Sequence, residues 1–306
     1  MNVTDQYIGH GYQLICGDTC EVIKEISDES IHFICFSPPF SSLYTYSNSD
    51  RDLGNSKDDE QFFRHFRFIT TELYRILKPG RIMAVHCMNI PASKERDGYI
   101  GLKDFRGGLI REFQDVGFVY HGEVTVWKDP VTQMQRTKTL GLLHKQIKKD
   151  SCRSRMGLPD YIIIMRKPGE NPEPVTHTME TYPVSEWQEV ASPIWDYEFS
   201  PIWWDINQSN TLNRMFADEE SERHIAPLQL DVIERIVKLY SNEDDIVFTP
   251  FMGIGSEVYQ AVKMNRRGIG IELKKEYYLQ AVKNLQALDE ERNQITIESF
   301  LSSMTT

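Results

Sequence analysis

Apolar positions along the chain fall into two rhythms. Residues 12–16 (YQLIC), 31–36 (IHFICF), 81–87 (RIMAVHC), 160–167 (DYIIIMRK), 246–249 (IVFT) and 268–273 (GIGIEL) are short, nearly continuous apolar runs, as in strands buried on both faces. Residues 123–127 (EVTVW) also read as extended. Between such runs, Phe62, Phe63, Phe66, Ile69, Leu73, Ile76 and Leu77 recur at helical spacing, predicting a helix over 60–77 that stops at Lys78-Pro79-Gly80. Further helices are predicted over 20–26, 104–116, 227–240 (with a proline near the first turn) and 256–264. Strands alternating with helices predict an α/β fold, a mostly parallel sheet covered on both faces.

Two stretches interrupt this rhythm. Residues 41–59 are polar and turn-rich and read as a loop. Residues 168–222 carry Pro168, Pro172, Pro174, Pro183, Pro193 and Pro201, with Trp187, Trp195, Trp203 and Trp204 among them. Prolines so spaced exclude long helices, while the tryptophans require packing. The chain therefore divides into a first half (1–128), an inserted region or cap (129–222) and a second half (223–306).

Composition narrows the class. At 306 residues, 40% apolar and 26% charged, the chain suits one large globular domain. It shows neither a run long enough for a membrane span nor a signal-peptide layout, so a cytoplasmic protein is expected. Five scattered cysteines without a CxxC pair point to reduced, mostly buried thiols and to no metal site. The net charge of −11 argues against a uniformly basic surface, yet Arg136, Lys138, Lys145, Lys148, Lys149, Arg153 and Arg155 form a basic island with Asp150 as its single acid.

Two turns carry candidate chemistry. In "DDIVFTPFMGIGSEVYQAVKMNRRGIGIEL" a strand runs into Pro250, Phe251, Gly253, Gly255 and Ser256, opens a helix, and a second strand ends at Glu272. Small residues at the carboxyl end of a strand admit a ligand, and an acid ending the next strand is a usual acceptor for a ribose diol. With no GxxxxGK[ST] and no third glycine, the loop suits a nucleoside cofactor lacking a pyrophosphate, such as S-adenosylmethionine. The other turn is Ser37-Pro38-Pro39-Phe40, closing "HFICFSPPF". Two prolines end the strand and stiffen the turn. Ser37 Oγ and the Pro38 carbonyl can then accept protons from an exocyclic amine, whose lone pair is otherwise delocalised, while Phe40 offers a stacking face. Such catalysis works by positioning and electrostatics. Both turns must share one crevice, so strands 31–36 and 246–249 must be sheet neighbours.

On these motifs the chain resembles the DNA amino-methyltransferases of the permuted, β-class arrangement over most of residues 12–290, the proline-rich stretch 168–222 matching the family pattern poorly. The resemblance rests on Ser37-Pro38-Pro39-Phe40, the preceding Gly17-Asp18, "LKPG" (77–80), "VWKDP" (126–130), "HIAPLQLDVIER" (224–235), "PFMGIGS" (250–256) and "GIGIEL" (268–273). It implies a Rossmann-like S-adenosylmethionine-dependent methyltransferase fold with an inserted target-recognition region. Asp18 is implied at the cofactor's adenine, Glu272 at its ribose and His224 beside its methionine end. Thr249 departs from the family, which usually has Asp there.

The resemblance also implies double-stranded DNA as partner, gripped through phosphates by the basic island, with the target base extruded. A serine heading the tetrapeptide tilts the choice to cytosine N4 over adenine N6. Cytosine C5 chemistry is disfavoured, since it needs a nucleophilic cysteine after proline and Cys35 lies within a strand. RNA or protein-amide methylation and a non-catalytic DNA-binding protein stay open as remoter readings. His86, His121 and His144 read as surface or core residues. A homodimer is left open, and any restriction nuclease is expected to be a separate chain.

Overall fold

The computed structural model describes residues 3–41, 51–131, 148–150, 152, 157–184, 202–215, 224 and 226–303. Its strands are β1 (Val3–Gly9), β2 (Tyr12–Gly17), β3 (Ile31–Phe36), β4 (Leu77–Cys87), β5 (Ile90–Ala92), β6 (Gly101–Lys103), β7 (Val119–Val126), β8 (Asp160–Arg166), β9 (Ile202–Trp203), β10 (Ile246–Thr249) and β11 (Arg267–Glu272). The longer helices are α1 (Asp59–Ile76), α2 (Phe105–Asp115), α3 (Leu230–Tyr240), α4 (Ser256–Lys263) and α5 (Lys275–Ser303).

Nine strands build one sheet in the order β1-β2-β11-β10-β3-β4-β8-β7-β9, while β5 and β6 pair separately. From β2 to β4 every neighbouring pair is parallel. β1 is antiparallel to β2, and β8 is antiparallel to both β4 and β7. Side chains alternate across the sheet. Phe33 and Cys35 of β3 enter one core with α3, α4 and the start of α5, whereas Ile34 and Phe36 enter the other with α1 and α2. The continuous apolar runs have this cause, and the mostly parallel sheet expected from them is observed.

Residues 129–222, read from sequence as an inserted region, contribute β8 and β9 to this sheet. Trp203 is fully buried in the first core, so this tryptophan packs as expected, while Trp204 is exposed and lies against Trp127. Trp187 and Trp195 lie outside the described residues.

Helix α1 begins at Asp58, whose carboxylate accepts the Gln61 N–H at 2.8 Å while Gln61 reaches back to the Lys57 N–H at 2.7 Å. It ends at Ile76, and the chain passes directly into β4. The helix thus stops before Lys78-Pro79-Gly80 as expected, and these residues belong to β4, which begins earlier than the expected start at residue 81. The register with β3 shifts there, and Gly80 takes φ +71.

The two halves of the chain are locked together where the parallel strands begin. Arg81 is 1% exposed and donates to the His32 carbonyl at 2.7 Å, to the Glu173 carbonyl at 2.9 Å and to the Asp245 carboxylate. His32, Glu173 and Asp245 lie close enough together to hold a metal ion. However, His32 Nδ1 accepts the Ile246 N–H at 3.1 Å, so Nε2 carries the proton and donates to Glu173 at 2.8 Å. Cations already balance both acids, Lys78 pairing with Glu173 and Arg81 with Asp245. The cluster is a structural network. Arg81→Ala is expected to cost about 3–5 kcal/mol in urea denaturation, because it strands the buried Asp245 charge. A loss below about 1 kcal/mol would show that Asp245 has another partner.

Candidate active site

β10 lies beside β3 with Val247 opposite Phe33 and Phe248 opposite Ile34. Because the two strands run parallel, the turns that follow them open on the same side. Thr19 Oγ1, just after β2, donates to the Pro250 carbonyl at 2.6 Å and ties a third turn to them. The three turns line one cavity, open to solvent, together with Glu272, Lys274, Tyr277 and His224.

On the cofactor side, Gly253 takes φ +55, and a Cβ there would lie 2.9 Å from the His224 ring. Gly255 takes φ +92 at the N-cap of α4, and its missing Cβ faces Ala281 and Leu285 of α5 at 3.1 Å. Gly255 thus lets α5 close in behind the loop, and Gly253 is the glycine that lines the cavity with Pro250, Phe251 and Ser256. The Phe251 ring rests against Phe36 and Phe66, with centroids 5.8 and 6.3 Å away.

The Glu272 carboxylate is held at both oxygens, by the Gly253 N–H and the Lys274 N–H, each at 2.8 Å. Burial nevertheless pushes its carboxyl up to about 7. Glu257, also lining the cavity, is pushed up to about 8 by burial and, after it, by the charge of Glu272. Burial drives His224 down to about 4, so its ring is neutral; Nδ1 accepts the Ala226 N–H at 3.2 Å. Asp18 caps the short helix Thr19–Val22 by accepting the Cys20 N–H at 2.9 Å, and its other oxygen pairs with Arg51 at 2.6 Å.

On the other wall, Ser37 follows β3 and Phe40 is buried, its ring edge-on to His86 and tilted against Phe105. The Pro39 carbonyl accepts the Ser41 N–H at 2.9 Å, whereas the Pro38 carbonyl takes no hydrogen bond among the described residues. Ser37 Oγ lies 2.9 Å from His86 Nδ1, and His86 Nε2 lies 2.6 Å from Asp160 Oδ2. Lys128 Nζ pairs with the same carboxylate. Burial alone would raise the Asp160 carboxyl, but Lys128 and His86 hold it down at about 2. Cys35 is 1% exposed and burial pushes its thiol well up, so it is no nucleophile.

The model of the N6/N4 DNA methylase family matches residues 31–283. The chain belongs to this family. Its members are S-adenosylmethionine-dependent DNA amino-methyltransferases. Among curated relatives, the Type II methyltransferase M.MjaI of Methanocaldococcus jannaschii is 25% identical, over 86% of this chain and 88% of that protein. The Type II methyltransferase M.HindIII of Haemophilus influenzae is 27% identical, over 88% of this chain and 93% of that protein. Among solved structures, the cytosine-N4-specific PvuII DNA methyltransferase shares the fold at TM-score 0.64 and 16% identity, covering 92% of this chain and 90% of that one.

The methyltransferase cavity fits the cofactor of its family. Glu272, fixed by two backbone amides, retains lone pairs for a ribose diol, and Phe251 and Pro227 are apolar walls. Glu257, buried, and Glu272, half-buried, suit a sulfonium cation when ionised. Thr249, in place of the family's Asp, is buried with no hydrogen-bond partner for Oγ1 among the described residues.

The cavity brings together all the site residues expected for catalysis and cofactor binding except Gly255, which lies behind it. Of the expected DNA-binding residues, Lys148 and Lys149 are exposed, and Arg136, Lys138, Lys145, Arg153 and Arg155 lie outside the described residues. His86, read from sequence as a surface or core residue, is a hydrogen-bonded core residue, and its contacts with Ser37 and Asp160, and that of Asp160 with Lys128, were not read from the sequence. The available signal was a histidine near the carboxyl end of a buried strand, two strands from the glycine loop.

Proposed function

We propose that this methyltransferase acts on N4 of a cytosine extruded from double-stranded DNA. The observation that supports this reading best is Ser37, a neutral hydroxyl heading the Pro-Pro-aromatic turn on the cavity wall. In the family such a serine is more often associated with cytosine N4, and the PvuII enzyme of like fold is cytosine-N4-specific.

Bound S-adenosylmethionine supplies an electrophilic methyl group on a sulfonium. Glu272, the Gly253 backbone and Asp18 hold the nucleoside end. Ser37 Oγ and the Pro38 carbonyl accept hydrogen bonds from the two N–H groups of the target amine, drawing its nitrogen toward a pyramidal geometry that frees the lone pair. Extrusion of the base costs a few kcal/mol, and Phe40, expected from sequence to offer a stacking face, is instead buried with its ring against His86 and Phe105, so it contributes to the stiffness of the turn.

The test is to incubate protein, DNA and cofactor, digest the DNA and identify the methylated nucleoside by mass. N4-methylcytosine supports the proposal, N6-methyladenine overturns it in favour of the adenine reading, and methylated RNA beside unmodified DNA overturns both. For the DNA grip, Lys148→Ala with Lys149→Ala is expected to lower the slope of log K against log salt by about 1–2. An unchanged slope returns these lysines to a solvated face.

A further inference from the structure

Ser37, His86, Asp160 and Lys128 form an unbroken line of contacts. Each comes from a different strand or its end, and those strands (β3, β4, β8 and β7) are consecutive in the sheet. The line starts at the cavity with Ser37 and runs across the sheet away from β10. Its polarity follows from hydrogen-bond inventory. Asp160, ionised, can only accept, so a neutral His86 carries its proton on Nε2 and offers a bare Nδ1. The Ser37 hydroxyl then donates to Nδ1, which leaves both lone pairs of Oγ to accept from a group in the cavity that Ser37 lines.

We propose that His86 takes the proton released by methyl transfer, through Ser37, and that Asp160 and Lys128 orient it for this. The inference rests on the reading of Ser37 as the residue at the target amine. The amine nitrogen forms a bond to the methyl carbon while the carbon–sulfur bond breaks, its electrons passing to sulfur. The nitrogen then carries a positive charge and one proton too many. Ser37 Oγ accepts that proton as its own passes to His86 Nδ1. The products are a neutral methylamine, a neutral thioether and an imidazolium, whose Nε2–H remains on Asp160. Lys128 balances Asp160 before transfer, and the imidazolium shares that carboxylate after it. The charged groups that face His86 are Asp160 from β8 and Lys128 beyond it. The Arg106–Glu123 pair, between α2 and β7, acts on the neighbouring Cys87. The Phe40 ring closes the remaining side. His86 is thus a positioning residue that acts through Ser37.

The test is the single-turnover methylation rate against pH at saturating cofactor, for the wild type and His86→Asn. Asparagine can still accept from Ser37 near the Nδ1 position but cannot take up a proton. The wild type is expected to lose rate toward acid, because an acceptor that already holds a proton cannot take another. In H86N the rate should fall about 10²-fold, the acid limb should vanish, and cofactor affinity should stay within about twofold. Asp160→Asn should slow transfer and move the limb to lower pH, and it serves alone if H86N does not fold. An H86N or D160N enzyme with the wild-type rate and limb overturns the relay while leaving the methyltransferase reading intact. A wild type that methylates no DNA would instead overturn that reading.

Discussion

Ser37→Ala is expected to lower turnover by about 10²–10³-fold, the scale of one lost hydrogen bond that matters at the transition state, and to leave cofactor affinity within about twofold. The split follows from position. Ser37 Oγ bonds to His86 and faces the cavity, whereas Glu272, Gly253 and Lys274 form a closed hydrogen-bonded group on the opposite wall. Loss of the hydroxyl removes an acceptor for the amine and disconnects His86 without touching the ribose side. Single-turnover methylation together with calorimetric titration of cofactor measures both. Equal losses in rate and affinity would place Ser37 in the cofactor site and remove it from the amine.

Much of this arrangement is legible in the sequence because its parts are local. The strand-turn-helix-strand order around Gly253, and the two prolines after Phe36, declare themselves within a few residues. Alternating apolar runs imply the parallel sheet, and the sheet implies that β3 and β10 adjoin. What is not legible depends on the chain's neighbours. β1 is an edge strand with half-exposed positions, so its alternation is blurred. Helix α5 buries Tyr277, Tyr278, Ala281, Leu285 and Leu288 near its start, and then turns polar, which dilutes the periodicity over its length. Asp160 opens a run of apolar residues and reads as a strand boundary. Only the antiparallel entry of β8 between β4 and β7 brings it to His86 and Lys128.

Glu272 leads to an expected pH dependence of cofactor binding. In the ligand-free protein its carboxyl is raised from 4.5 to about 7, and that of Glu257 from 4.5 to about 8, chiefly by burial. Carboxyls raised on folding favour the protonated protein, so their contribution to stability is full below 4.5 and lost as pH rises through about 7 and about 8. The melting temperature of the free protein should therefore fall across that window. A sulfonium nucleoside acts in the opposite sense, since it prefers both acids ionised and its ribose prefers a carboxylate that only accepts. Cofactor affinity should thus rise about tenfold from pH 6 to pH 8, and the thermal shift it produces should grow in step. His224, held at about 4, does not titrate in this range. Glu272→Gln should weaken binding about 10–100-fold at pH 8, the value of hydrogen bonds to a charged acceptor. It should also move the remaining pH dependence lower, because Glu257 no longer feels a neighbouring charge. Titration calorimetry at several pH values decides the matter. A flat affinity in the wild type, or full affinity in E272Q, would mean that the ribose lies elsewhere.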